Sequence, residues 1–400
     1  MNVPKLRFKE YSRDSTSAWV KAPLKEFIDD HKGGASLRPS DFLPSGKFEV
    51  IPKKAISSGG KLNLDKLNPT YCTETFFSNN QSSVIDRKYL VTTLRDLVPS
   101  GPSIGYIVKI EDDRKYLLAQ GVYGIKIKDE LDEEFLIQFS NTIKYRELMQ
   151  TMMVGSTQVH IRNGDFFKLL LGVPSIEEQQ KISSFLLRVD QKISLLTKNY
   201  ELLAQYKKGV MQKIFNQEIR FKDRAGKDFP AWEYVPLEKV LDYEQPGRYL
   251  VSSTKYSDDF DTPVLTAGKT FLLGYTDEIN GIFTDLPVII FDDFTTAFKF
   301  VDFPFKAKSS AMKMLKNINS DNYLRYIYEA MCRIDFQGGD EHKRYWISQY
   351  SKITIPLPHH DEQIKILEFS AGIDKKIEII KSKLELTKQY KQGLLQQMFI

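Results

Sequence analysis

Asp292 and Asp293, followed by Phe294, set two carboxylates side by side, the least that could hold a Mg²⁺ ion for phosphodiester cleavage. A nuclease of that kind also needs a nearby Glu-x-Lys or comparable cluster, and "FDDFTTAFKFVDFPF" supplies Phe and Thr instead. The stretch reads as strand, turn and strand with polar residues at the tip. "HHDE" at His359–Glu362 invites a metal. Neighbouring residues at a helix start point in different directions, however, whereas helical metal pairs sit at i, i+3 or i, i+4. The chain also writes this position a second time as Ser175, Ile176, Glu177 and Glu178, so what the two copies share is a helix start.

"NPTY" at Asn68–Tyr71 is one residue away from the Asn-Pro-Pro-Tyr loop with which amino-methyltransferases grip a base. It reads as an Asx-Pro turn, because no glycine-rich loop after a strand supplies a site for S-adenosylmethionine. "SSGGK" at Ser57–Lys61 lacks the spacing of a P-loop. Cys72 and Cys332 lie in different halves and share no CxxC spacing, which argues against both a zinc site and a disulfide framework. The expectation is a reduced, cytoplasmic chain with no catalytic residues, no metal and no cofactor of its own. The N-terminal "MNVPKLRFKEYSRD" has no apolar signal-peptide region, and "LPVIIF" at Leu286–Phe291 has the length of a strand rather than a membrane span.

What remains is a surface for binding. Lys269, Tyr275, Thr295, Thr296, Lys299, Lys306, Lys308, Ser309, Ser310, His342, Lys343 and Arg344 fall in or near turns between strand candidates. Lys53, Lys54, Lys61, Arg87, Lys88 and Arg95 make a similar scatter earlier in the chain. Lys and Arg supply phosphate contacts, while Thr, Ser, His and Arg reach base edges. For any one of these residues taken alone, solvated surface is the better account. A net charge of +5 permits a polyanionic partner without demanding one.

The elements that must carry these residues are written twice. Val173–Phe215 aligns without gaps to Leu357–Phe399, and 17 of the 43 positions are identical. A weaker echo pairs Arg7–Lys9 with Arg220–Lys222, Ala18-Trp19 with Ala231-Trp232, and Pro23-Leu24 with Pro236-Leu237. Between these anchors, Lys25–Gly172 and Glu238–Pro356 show no resemblance to each other. Ser175 and Glu178 have capping-box spacing. From there Ile182, Phe185, Val189, Ile193 and Leu196 trace one apolar seam, repeated by Ile366, Phe369, Ile373, Ile377 and Ile380. A helix of this kind cannot bury its stripe alone, and the other copy is the nearest partner. The intervening blocks read as mixed α+β. Their strand candidates are Lys47–Pro52, Gly105–Ile110, Gly124–Lys128, Thr262–Thr266, Val288–Phe291 and Phe298–Phe303, with helices over Glu134–Met152 and Asp321–Arg333. At 400 residues and 42% hydrophobic, the chain has material for two or more domains.

The duplicated Pro-x-x-x-Glu-Gln-x-Lys-Ile-x-x-Phe…Asp…Tyr-Lys-x-Gly-x-x-Gln-x-x-Phe element resembles that of the specificity (S) subunits of type I restriction–modification systems. So do "PVLTAGKTFLLGYTDEINGIF", "VIIFDDFTTAFKFVDFPF" and "HKRYWISQYSKITIPLP". The resemblance implies an α+β fold with two target recognition domains, residues 1–172 and 217–356. Two long helices, conserved in that family, would separate them at 173–216 and 357–400 and form a pseudo-twofold antiparallel coiled coil. It also implies a bipartite target in double-stranded DNA, two docked methyltransferase subunits that carry S-adenosylmethionine, and restriction subunits. Phe185, Ile193, Tyr206, Phe215, Phe369, Ile377, Tyr390 and Phe399 would serve helix pairing and partner docking. A coiled-coil scaffold with two protein-binding domains is the alternative.

Overall fold

The computed structural model describes residues 3–12, 18–65, 67–268, 270–319, 322–336 and 344–400. It divides into two compact units, Met1–Lys198 with Lys381–Ile400, and Asn199–Ile380. The division falls inside both long helices, Ile176–Phe215 and His360–Met398. Each unit therefore holds the start of one long helix and the end of the other. These halves belong to the cores of the globular blocks, because the blocks bury their apolar seams. No described helix is long and apolar enough to cross a membrane.

In the first unit, Ile182, Leu186 and Val189 share a core with Leu394, Leu395, Met398 and Phe399, along with Trp19 and Phe135 from the block. The two helical segments run antiparallel, since Asp190, further along its helix than Ile182, meets Lys391 at 2.6 Å. In the second unit, Met211, Ile214 and Phe215 pack with Ile366, and Lys207 meets Asp374 at 2.6 Å. Phe185 and Ile193 lie half-buried against the first core and Phe369 against the second, while Ile377 is half-buried.

The Glu-Gln pair of the repeat has a structural task in both units. Glu178 accepts from Arg7 Nε at 2.7 Å and Nη2 at 2.6 Å, and Glu362 accepts from the same atoms of Arg220 at 3.2 and 2.6 Å. Both guanidiniums are pushed up from their usual range, chiefly by these hydrogen bonds. The next residue of each echo, Phe8 or Phe221, meets Phe185 or Phe369 edge-on at 5.9 or 5.7 Å. One oxygen of Glu362 also accepts from Trp232 Nε1 at 2.8 Å, whereas the buried Trp19 Nε1 has no partner among the described residues. The expected capping box forms only by half. Ser175 Oγ accepts from the Glu178 amide at 3.4 Å, but the Glu178 carboxylate turns away to Arg7.

Gln179 and Gln363 clamp a second helix. Gln179 Oε1 accepts from the amide of Asp132, the N-cap of Glu133–Ser140, and Gln363 Oε1 from that of Tyr323, the N-cap of Leu324–Met331. Each Nε2 donates back to the carbonyl of the proline five residues earlier, Pro174 or Pro358. That proline ends a strand pair repeated in both units, Val20–Pro23 with Leu170–Val173 and Glu233–Pro236 with Thr354–Leu357.

The blocks share no sequence pattern, yet each builds a four-stranded antiparallel sheet and a second, mixed sheet, five-stranded in the first unit and three-stranded in the second. In the first unit the antiparallel sheet runs Ile28–Gly33, Val122–Ile127, Leu90–Thr93, Ile107–Lys109. In the second it runs Leu241–Glu244, Met312–Asn317, Val288–Asp292, Phe298–Val301. Each mixed sheet contains one parallel pair, Phe48–Ile51 with Tyr116–Leu118 and Thr262–Leu265 with Lys306–Ala307. The six expected strands are present within a few residues. The helix expected over Glu134–Met152 is two, Glu133–Ser140 and Ile143–Met152, because Thr142 leaves the helix and caps the second through the Tyr145 amide.

Glu362→Ala strands the guanidinium of Arg220 and the indole of Trp232 beside an empty apolar site. The expected loss is about 3 kcal/mol of stability, read as a lower urea midpoint. Replacing both charges with apolar residues, Glu362→Leu with Arg220→Met, recovers most of it. An E362A protein with the wild-type midpoint would show that the latch carries no stability.

Candidate nucleic-acid interface

In the second unit, alternation along Val288–Asp292 sends Ile289 and Phe291 into one core and Val288 and Ile290 into another. With both faces of this strand covered, Val288–Asp292 presents polar residues only at its end. That end is the turn to Phe298–Val301. There Asp292 Oδ1 accepts from the amides of Phe294 (3.0 Å) and Thr295 (2.8 Å), and Thr296 takes a φ of 56°. A β-branched residue in the left-handed region stores roughly 1–3 kcal/mol of strain, which the surrounding hydrogen bonds must hold.

Asp293 holds it. The residue is buried at 3% exposure, and its carboxylate lies 3.1 Å from Nζ of the equally buried Lys313. The same carboxylate accepts from the Trp346 amide at 2.9 Å, and the Asp293 carbonyl accepts from the Tyr345 amide at 3.0 Å. Its own amide donates to Ala311 O at 3.1 Å. One buried residue thus gathers the 294–296 tip, the 309–311 turn and the start of helix Tyr345–Ser348. These segments carry the expected Thr295, Thr296, Ser309, Ser310 and Arg344, with Lys308 beside them and Lys299 down the hairpin. Lys299, Lys308 and Arg344 have no ion-pair partner among the described residues.

Other expected residues lie elsewhere. Lys306 is buried at 3% exposure, ion-paired with Glu278 at 2.9 Å and donating to Asn280 O at 2.6 Å. Its ammonium is taken up inside the unit, and its hydrogen bond is the main cause holding the Glu278 carboxyl below its usual range. Tyr275 lines an apolar hollow of about 560 Å³ with Leu265, Phe271 and Phe303. Lys269, His342 and Lys343 lie outside the described residues. His359 and His360 stack on separate rings, Phe229 at 5.9 Å and Tyr323 at 4.8 Å.

In the first unit, Lys53 and Arg95 cross over Gly121, whose φ of 85° and lack of a side chain allow the approach. A Cβ there would stand 2.9 Å from Lys53 Cε and 3.1 Å from Arg95 Cβ. Lys53 and Lys54 border a hollow of about 660 Å³ with the exposed Leu97 and Val98. That loop is pinned by Asp96, which accepts from Ser103 Oγ at 2.6 Å. Lys61 and Arg87 stand apart in exposed pairs with Glu111 and Asp113, both at 2.8 Å. Such pairs contribute about 0–1 kcal/mol and exchange readily for a phosphate. Lys88 joins Lys32, Lys115 and Lys126 around a hollow of about 260 Å³. Those three lysines were not among the sequence candidates, because only sheet pairing brings them together. Tyr206 and Tyr390, at equivalent positions of the two long helices, are 55% and 56% exposed and lie outside the helix seam.

Known proteins share this organisation. A model of the type I restriction modification DNA specificity domain matches residues 16–205 and again 231–388. The specificity subunit of the Escherichia coli type I restriction enzyme EcoR124I/EcoR124II is 51% identical over 146 residues, 35% of this chain and 36% of that subunit's length. A putative MjaX specificity subunit from Methanocaldococcus jannaschii is 24% identical over 415 residues, covering 94% of this chain and 92% of that one. The crystal structure of an S subunit from M. genitalium superposes with a TM-score of 0.58 at 17% identity, over 100% of this chain and 99% of that one, a likeness of fold. With the family's domain matched twice, once over each copy of the repeated frame, the chain belongs to the type I restriction–modification DNA specificity family.

Proposed function

We propose that this chain is the sequence-reading subunit of a type I restriction–modification complex, with no catalytic centre and no cofactor of its own. Each unit reads one half of an asymmetric, bipartite site in double-stranded DNA. The repeated frame presents equivalent docking surfaces to two methyltransferase subunits, which supply S-adenosylmethionine and methylate adenine, and restriction subunits join through them. The exposed Tyr206 and Tyr390 belong to those surfaces. The observation that carries this reading is the mounting of two unlike loop clusters on one latch, Arg7–Glu178–Gln179 and Arg220–Glu362–Gln363. An identical mount suits identical partners, while unlike loops suit unlike half-sites.

The purified chain neither methylates nor cuts DNA, and with a methyltransferase subunit and S-adenosylmethionine it directs adenine methylation to one sequence. Methylation mapping of a genome carrying both genes reads out that sequence, and methyl transfer by the isolated chain would overturn the proposal.

Exchanging Glu238–Pro356 for the block of a relative changes one half of the mapped site and leaves the other intact. A change in both halves would mean that the units do not read independently.

Lys308→Ala with Arg344→Ala removes two cations free to meet phosphates. Binding weakens on all sequences alike, and the slope of log affinity against log salt falls by about two. Titrations from low to moderate salt check this, and an unchanged slope would remove both residues from the interface.

A further inference from the structure

We propose that Phe294 is a specificity-determining residue, its ring taking the C5-methyl group of a thymine in the major groove. The inference rests on the reading of the chain as a DNA-binding subunit and names one base contact within it.

The ring is out of place by the rules that govern its neighbours. Phe291 on the same hairpin is fully buried and Phe298 and Phe300 pack against the second core, yet Phe294 is 53% exposed. The turn does not require it. Asp292 Oδ1 is satisfied by the backbone amides of residues 294 and 295, which any non-proline residue supplies. The turn is held from several sides, by Asp292, by the left-handed Thr296 and by the buried Asp293–Lys313 pair. A large apolar surface is thus presented to water in a fixed position. Ordering it in advance removes the entropic penalty that a mobile contact would carry.

The surroundings point to nucleic acid as the occupant. The two carboxylates that precede the ring in the chain are already engaged, Asp292 by the amides of Phe294 and Thr295 and Asp293 by the ammonium of Lys313. The cations Lys299, Lys308 and Arg344 are uncompensated among the described residues and lie along the same end of the sheet. A two-stranded ribbon fits the major groove, which is about 12 Å wide, with flanking cations toward the phosphates. Among the unmodified bases only thymine offers a methyl group there, and Phe and Thr are suited to contact it. Exposed Thr295 stands next to the ring.

The test uses the full chain with its methyltransferase subunit and duplexes bearing the mapped site. Deoxyuridine replaces thymidine one position at a time, which deletes only the methyl. For the wild type, one substitution in one half-site weakens binding roughly fourfold, the worth of about one buried methyl. Phe294→Ala binds the thymine duplex more weakly and no longer distinguishes it from the deoxyuridine one, while its salt slope matches the wild type. Phe294→Leu, measured alongside, keeps an apolar tip and part of the discrimination, so the comparison stands even if the alanine variant folds poorly. Equal discrimination by wild type and F294A, or no position sensitive to the methyl, overturns the inference. Weaker association with the methyltransferase subunit at unchanged thymine discrimination also overturns it and makes the tip a protein contact. A wild-type complex with no preferred sequence fails the proposed function itself, whatever Phe294 does.

Discussion

A carboxylate buried in the first turn of a helix must find a cation, and in both units of this protein that requirement organises everything around it. Glu178 and Glu362 are 1% and 0% exposed, and each is met by an arginine from a segment that precedes its block. The arginine brings a phenylalanine onto the helix and leads into a strand that pairs with the strand entering the helix. The adjacent glutamine reaches the other way and fixes the helix at the far side of the block. Strand, helix and chain ends are thus tied at one point, so the intervening sequence is free to vary as long as its ends return there.

The second unit uses the same device at its outer end. Asp293 and Lys313 form a buried pair, and the carboxylate also accepts from the Trp346 amide of the helix Tyr345–Ser348. Burying such a pair is a poor way to gain stability, since desolvation offsets most of the attraction. It is a good way to specify geometry, because any other arrangement leaves an unpaired buried charge. The turn at residues 294–296 takes its fixed position from that intolerance.

The side chains that drew attention in the sequence as possible metal ligands have structural partners. Side chains of Asp292 and Asp293 that could have bound a metal are engaged in a turn and an ion pair, and His359 and His360 are stacked on separate rings. The loop cluster of the second unit combines hydroxyls with cations that have no ion-pair partner among the described residues, the chemistry of contacting phosphates and base edges.

The amino-acid sequence by itself determined the duplicated helices, their seam, six strands and the alternation of frame and block. All of these are periodicities or identities visible over a few turns of chain. Tertiary structure alone decided which charges are available. Lys306 and Lys308 look alike in sequence, yet one is spent on Glu278 and the other has no ion-pair partner among the described residues. Tyr206 and Tyr390 carry the repeat's signature but stand out of the seam that their neighbours form. Arg7 and Arg220 find their carboxylates across 171 and 142 residues, and Lys88 gains its lysine neighbours through sheet pairing. The physical reason is that backbone periodicity is local, whereas desolvation depends on everything packed around a charge, so its partner is chosen only when the chain has closed.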